Sequence, residues 1–139
     1  MDKKIRKMKI ISLVENTFWG EIPETSGVYF IHSYNNGHPA ILNRVLGTDE
    51  EGVLYIGKSE NLRERLRMLW RVLNPKLEAT AHTFGTKYNS NQKLREAFPM
   101  KSLFVSYRIT SEPKTLESEL LDKYFLKYGE VPHLTVQNN

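Results

Sequence analysis

The stretch Gly52-Val53-Leu54-Tyr55-Ile56-Gly57-Lys58-Ser59 decides how this chain of 139 residues is read. Its letters fit G-x-x-x-x-G-K-[ST], the phosphate-cradling loop of nucleotide triphosphatases. Such a loop needs an apolar strand ahead of the first glycine and open backbone between the two glycines. Here Thr48-Asp49-Glu50-Glu51 stands ahead of Gly52, an acidic stretch that would repel a polyphosphate. The four residues between the glycines are Val, Leu, Tyr and Ile, which favour a buried strand. The stretch is therefore read as a strand, and nucleotide hydrolysis through Lys58 is set aside.

Upstream, Gly27-Val28-Tyr29-Phe30-Ile31-His32-Ser33 is rich in β-branched and aromatic residues after the turn signal Pro23-Glu24-Thr25-Ser26. It predicts a first strand, antiparallel to Val53–Gly57. Asn35-Asn36-Gly37 predicts a turn. Residues 40–46 and then 47–52 form either an extra hairpin arm or a lengthened strand. Downstream, Asn61–Leu73 predicts a helix with Ser59 or Asn61 as cap. Ser90–Phe98 predicts a second helix, stopped by Pro99. Leu103–Ile109 is a third strand. Pro113–Tyr128 is a third helix, with proline in its first turn and Gly129 just past its end. The order β-β-α-α-β-α implies an α+β domain with a small, mainly antiparallel sheet.

Composition agrees with one globular domain. Apolar residues make up 40% and charged residues 26%, and the length suffices for a real core. No apolar run approaches the ~20 residues needed to span a bilayer. No apolar segment follows the basic start, so a secretory signal is not expected and a cytoplasmic protein is. The absence of cysteine excludes disulfides, thiol catalysis and cysteine-based zinc sites. The net charge is +4, yet Lys3–Lys9 alone holds five cations, so the remainder is close to neutral. Residues 1–20 are read as a basic N-terminal segment and 21–139 as the folded domain.

Three features carry chemistry. Tyr29 and Tyr55 sit on neighbouring predicted strands. At ~100° per residue, Leu62, Leu66, Leu69 and Leu73 form the buried stripe of the first helix. Arg63, Arg67 and Arg71 turn toward solvent, whereas Arg65 flanks the stripe beside Val72, where an arginine needs an anion or a partner. On the last helix Leu120, Leu121, Tyr124, Phe125 and Tyr128 form an apolar face, with Glu117 at its middle and Glu119 and Asp122 outside it. A carboxylate there must be paired, protonated or bound to a metal. Two tyrosines, an arginine and a carboxylate suit phosphodiester hydrolysis. The carboxylate would hold one Mg²⁺, the arginine a phosphate oxygen, and a tyrosine would take the proton from water. Free tyrosine has a pKa near ~10, so Lys58 and Arg65 are expected to lower it.

These residues resemble the GIY-YIG nuclease superfamily. Gly27-Val28-Tyr29 is similar to the GIY element and Tyr55-Ile56-Gly57, followed by Lys58, to the YIG element. Arg65 stands where the family's catalytic arginine is expected. Leu116-Glu117 is similar to its metal-binding helix, and Pro132-His133-Leu134 to its closing segment. The resemblance covers roughly Ile22 to Leu134. It implies a three-stranded antiparallel sheet flanked by helices and metal-dependent cleavage of DNA by Mg²⁺ or Mn²⁺. It also implies that Tyr55, or else Tyr29, acts as base, with Arg65 on the scissile phosphate and Glu117 on the metal.

The chain departs from that pattern in three places. Residues 31–54 are longer than the usual spacer and form an arm expected to touch substrate or partner. Thr135 stands at the family's closing asparagine, with Asn138 and Asn139 nearby. Trp70 occupies the region of a histidine that His82 could replace. Two functions follow: a DNA endonuclease, or a DNA-binding module or accessory subunit whose catalysis has weakened. Lys87-Tyr88 and Tyr107-Arg108 would contact phosphate and stack bases under either. Target choice would come from this domain, a homodimer, a larger partner protein or DNA shape.

Overall fold

A computed structural model describes residues 11–12, 18–73, 83–132 and 134. The Lys3–Lys9 cations, His82, His133, Thr135, Asn138 and Asn139 lie outside the described residues.

Seven strands and four α-helices are described. The strands are β1 (Ile11–Ser12), β2 (Gly27–Asn35), β3 (His38–Pro39), β4 (Leu42–Asn43), β5 (Thr48–Asp49), β6 (Val53–Ser59) and β7 (Leu103–Ile109). The helices are α1 (Leu62–Leu73), α2 (Thr83–Asn89), α3 (Gln92–Ala97) and α4 (Pro113–Tyr128). The expected α+β fold is present. Its heart is three long antiparallel strands, with β2 between β6 and β7. Short β1 extends the sheet beyond β7, and β3 pairs with the end of β2. Trp19, on a 3-10 turn at Phe18–Glu21, lies 4.5 Å from Trp70 of α1 between ring centroids.

The sheet is covered on both faces. On one, Tyr29, Ile31, Tyr55 and Val105 pack with Leu62, Leu66, Leu69 and Leu73 of α1. On the other, Val28, Phe30, Val53 and Ile56 pack with Leu120, Tyr124 and Tyr128 of α4. Burial on both sides explains why β2 reads as a continuous apolar run rather than an alternating one.

The Gly52–Ser59 stretch is strand from Val53 onward, buried as far as Gly57, which is no setting for a phosphate loop. α1 starts one residue after its cap: Asn61 Oδ1 accepts from the Glu64 N–H at 3.1 Å. Its buried stripe is the expected one with Val72 added. α4 has the expected bounds and ends on Gly129 at φ 77°, whose N–H donates to the Phe125 carbonyl at 2.7 Å. A left-handed residue here suits glycine, which has no Cβ to clash.

Two expectations need correction. Phe125 is 48% exposed, so the apolar face of α4 runs through Leu120, Tyr124 and Tyr128 without it. The second predicted helix shortens to Gln92–Ala97, because the Asn91 side chain caps it through the Leu94 N–H. Helix α2 was not anticipated.

The long spacer forms an arm folded back on the body, with β4 and β5 as a separate two-stranded sheet. Leu46 N–H donates to the Tyr128 carbonyl at 2.9 Å, which ties the arm to the end of α4.

Candidate active site

Strand register brings the two tyrosines together. Tyr29 pairs across with Gly57, and Ile31 with Tyr55, so both rings leave the same face of the sheet. Their centroids are 5.8 Å apart at 36°. Gly57 supplies the space. A Cβ on Gly57 would lie 2.7 Å from the Tyr29 hydroxyl and 2.6 Å from the Tyr55 ring. Tyr107 on β7 pairs with Tyr29 from the other side and is only partly covered.

Arg65 reaches this pair from the first turn of α1. The short connection fixes where that helix begins: Asn61 N–H donates to Ser59 Oγ at 3.0 Å, and Leu62 N–H to the Thr25 carbonyl at 2.8 Å. Arg65 acts on both hydroxyls by charge and by hydrogen bonding. The half-buried arginine beside Val72 therefore has the partners its position requires.

Glu117 comes from the opposite layer. Its side chain on α4 is 14% exposed, and its Oε1 lies 3.7 Å from Lys58 Nζ. Lys58 pairs across with Val28, whose side chain belongs to the α4-side core. β6 has β2 as its one sheet neighbour among the described residues, so it forms an edge around which the two layers meet. The charge of Glu117 is felt at Tyr55. Tyr29, Tyr55, Arg65, Lys58 and Glu117 thus belong to one electrostatically connected cluster.

Its proton chemistry differs from expectation. Burial pushes the Tyr29 hydroxyl well above the ordinary tyrosine range, and the neighbouring Tyr55 adds to the rise. Burial also raises Tyr55. Arg65 pulls both down but does not outweigh desolvation, and Lys58 spends its charge on Glu117. Cations therefore do not produce a tyrosine of lowered pKa here. Glu117 is raised too: burial dominates over the pull of Lys58.

No group of three or more acidic or histidine side chains suited to a metal occurs among the described residues. A single carboxylate still fits Mg²⁺, which keeps several waters and uses one or two carboxylates plus substrate phosphate. At 3.7 Å the Glu117–Lys58 contact is longer than the about 2.7–2.9 Å of a tight charged hydrogen bond. The carboxylate is therefore held near Lys58 without being locked to it.

Other expected contacts change. Arg63 Nε donates to the Ile22 carbonyl at 2.7 Å, and Arg67 pairs with Glu64 at 3.0 Å. The cations after β6 are thus partly committed within the fold. Tyr88 is buried, stacks on Phe84 and donates to the Phe98 carbonyl at 2.7 Å, so it offers no ring to a base. Sequence reasoning missed a second buried group, Arg44, Asp49 and Tyr124, because the arm has no periodicity to mark its inward side chains.

No protein-family model and no curated protein matches the sequence. Among solved structures, the chain is similar to the GIY-YIG N-terminal endonuclease domain of UvrC from Thermotoga maritima. Three point mutants of that domain, each bound to its catalytic divalent cation, align at 24%, 23% and 24% identity. Each alignment covers 99% of this chain and 100% of the other, with a TM-score of 0.43. Superposition at that level leaves the site to be judged on its own residues. No helix among the described residues is long and apolar enough to cross a membrane.

Proposed function

We propose that this chain is a divalent-metal-dependent DNA endonuclease of the GIY-YIG type that hydrolyses phosphodiester bonds. One observation supports the proposal: Tyr29, Tyr55 and Arg65 come together on one side of β6, and the Glu117 carboxylate, 3.7 Å from Lys58 at the other side of that edge strand, acts by charge on Tyr55. Glu117 would hold Mg²⁺ or Mn²⁺, and a bound cation of this kind stabilises charge on the phosphate and the leaving oxygen. Arg65 pairs with a phosphate oxygen. Lys58 steadies Glu117 and adds positive charge for the DNA backbone. Tyr55 is the better proton acceptor of the two tyrosines because Tyr29 is fully buried and raised further. Tyr29 orients Tyr55 and Arg65. His82 would supply a further donor from the segment before α2.

A second reading, a DNA-binding module with weak catalysis, draws on a specific observation. An ordinary tyrosine is already protonated at neutral pH, and burial moves both of these further from ionisation, so proton acceptance depends on positive charge arriving beside Tyr55.

Plasmid nicking with Mg²⁺ or Mn²⁺ separates the two. An endonuclease nicks, and Glu117→Ala, Arg65→Ala and Tyr55→Phe each lose most of the rate. Binding without nicking across several DNA forms favours the module. Nicking that survives Glu117→Ala removes the metal role of that residue.

A further inference from the structure

We infer that Arg44, Asp49 and Tyr124 form a buried clasp that positions Glu117 along β6, which makes them positioning residues for the site. The inference rests on the reading of Glu117 as the site's carboxylate.

The clasp ties three elements at one point. Tyr124 Oη donates to Asp49 Oδ2 at 2.6 Å and accepts from Arg44 Nε at 2.8 Å. Arg44 Nη2 donates to the Val53 carbonyl at 3.0 Å, and the Val53 N–H donates to Asp49 Oδ2 at 3.2 Å. Asp49 Oδ1 accepts the Glu51 N–H at 2.8 Å. Arg44 Nη1 also pairs with Glu130 at 3.1 Å, and the guanidinium sits 5.3 Å from the centre of the Tyr124 ring. Arg44, Asp49 and Tyr124 are all buried.

Val53 opens β6, the strand that carries Tyr55 and Lys58. Tyr124 follows Glu117 by seven residues, about two helical turns, so the two share one face of α4 roughly 10 Å apart. The helix is thus fastened to the start of β6 at Tyr124 and meets its far end at Glu117. Between these points Leu120 makes only apolar packing with the sheet. Apolar contact is non-directional. A slip of one residue would move Glu117 by about 1.5 Å and turn it by about 100°. A phenol bonded at 2.6 Å to a buried carboxylate does not permit that slip. Stability alone does not account for the group, since a buried ionic cluster is often no more stable than apolar packing of the same volume.

Zero-length carbodiimide coupling of Lys58 to Glu117, quantified by peptide mass spectrometry on the full chain, reads this register without metal or DNA. Glu117→Gln is the blank. Tyr124→Phe keeps the ring and removes the hydroxyl; Asp49→Asn is the second variant should the first not fold. A folded variant is expected to couple at least three-fold less than wild type, and to bind Mn²⁺ more weakly in a paramagnetic resonance titration. Wild-type coupling yield in a folded variant, even with a lower melting temperature, would overturn the clasp as a positioning device and leave it as a structural one. A wild-type chain that never nicks DNA, with coupling still dependent on Tyr124, would overturn the nuclease reading and keep the clasp.

Discussion

Lys58 Nζ and Glu117 Oε1 face each other at 3.7 Å across the edge of the sheet, and the pairing does not return Glu117 to the ordinary carboxylate range. Burial wins because the side chain is mostly covered while its ammonium partner stays partly hydrated. At neutral pH this ionised carboxylate costs the fold free energy, which is typical of a group placed for chemistry.

Glu117→Gln should therefore raise the melting temperature at pH 7 by about 1–3 °C while removing cleavage. The raised folded pKa fixes the sign. The stabilisation it represents is complete below the unfolded pKa of about 4.3 and is lost as pH rises through the folded value. The gain from glutamine should accordingly vanish below about pH 4. Thermal melts of both proteins at the two pH values check this. A lower melting temperature for the variant at pH 7 would mean that Lys58 stabilises the carboxylate more than burial destabilises it.

The tyrosines make an alkaline prediction. Both folded pKa values lie above the ordinary range, so near pH 10 the native state holds protons that the unfolded chain releases. Stability must then fall as pH rises through and beyond about 10. Ultraviolet titration of tyrosinate should show Tyr55 ionising before Tyr29. Burial also raises Tyr34, Tyr88, Tyr124 and Tyr128, so single variants assign the steps: Tyr55→Phe should remove an earlier late step than Tyr29→Phe does.

Gly57 tests the packing of the pair. Alanine there places a methyl group within 2.7 Å of both rings, and both rings are buried. Gly57→Ala should cost about 1–3 kcal/mol in chemical denaturation and alter the near-ultraviolet circular dichroism of the tyrosines. Gly47→Ala is the control: nothing lies within 4 Å of its Cβ, and its effect should stay within about 0.5 kcal/mol.

How far the sequence could be read follows from which interactions are periodic. The long strands and α4 announce themselves through apolar pattern, a proline start and a glycine stop, and their bounds agree closely. The angular position of Arg65 beside Val72 and of Glu117 on the buried face follows from helical spacing alone. Desolvation does not follow from spacing. Counting cations near Tyr55 predicts a lowered pKa, whereas burial sets the opposite direction. The arm hid its clasp for a related reason. Arg44 and Asp49 read as ordinary loop charges, and only their meeting with Tyr124 from the far end of the chain places them inside.

That meeting orders two substitutions. Asp49 is fully buried and accepts two backbone N–H groups and the Tyr124 hydroxyl. Its removal leaves those donors without their acceptor beside a guanidinium that stays buried. Asp49→Ala should cost about 3–5 kcal/mol, since each buried donor left without its acceptor costs about 1–3 kcal/mol. Glu130 also contacts Arg44, at 3.1 Å, but its side chain is 31% exposed. Water reaches the carboxylate's side of that contact, although the Arg44 side chain is covered, so Glu130→Ala should cost less than Asp49→Ala. Urea denaturation of the two variants side by side checks the order. Equal losses would show that the arm is held by its half-covered pair with Glu130 as strongly as by its buried contact with α4.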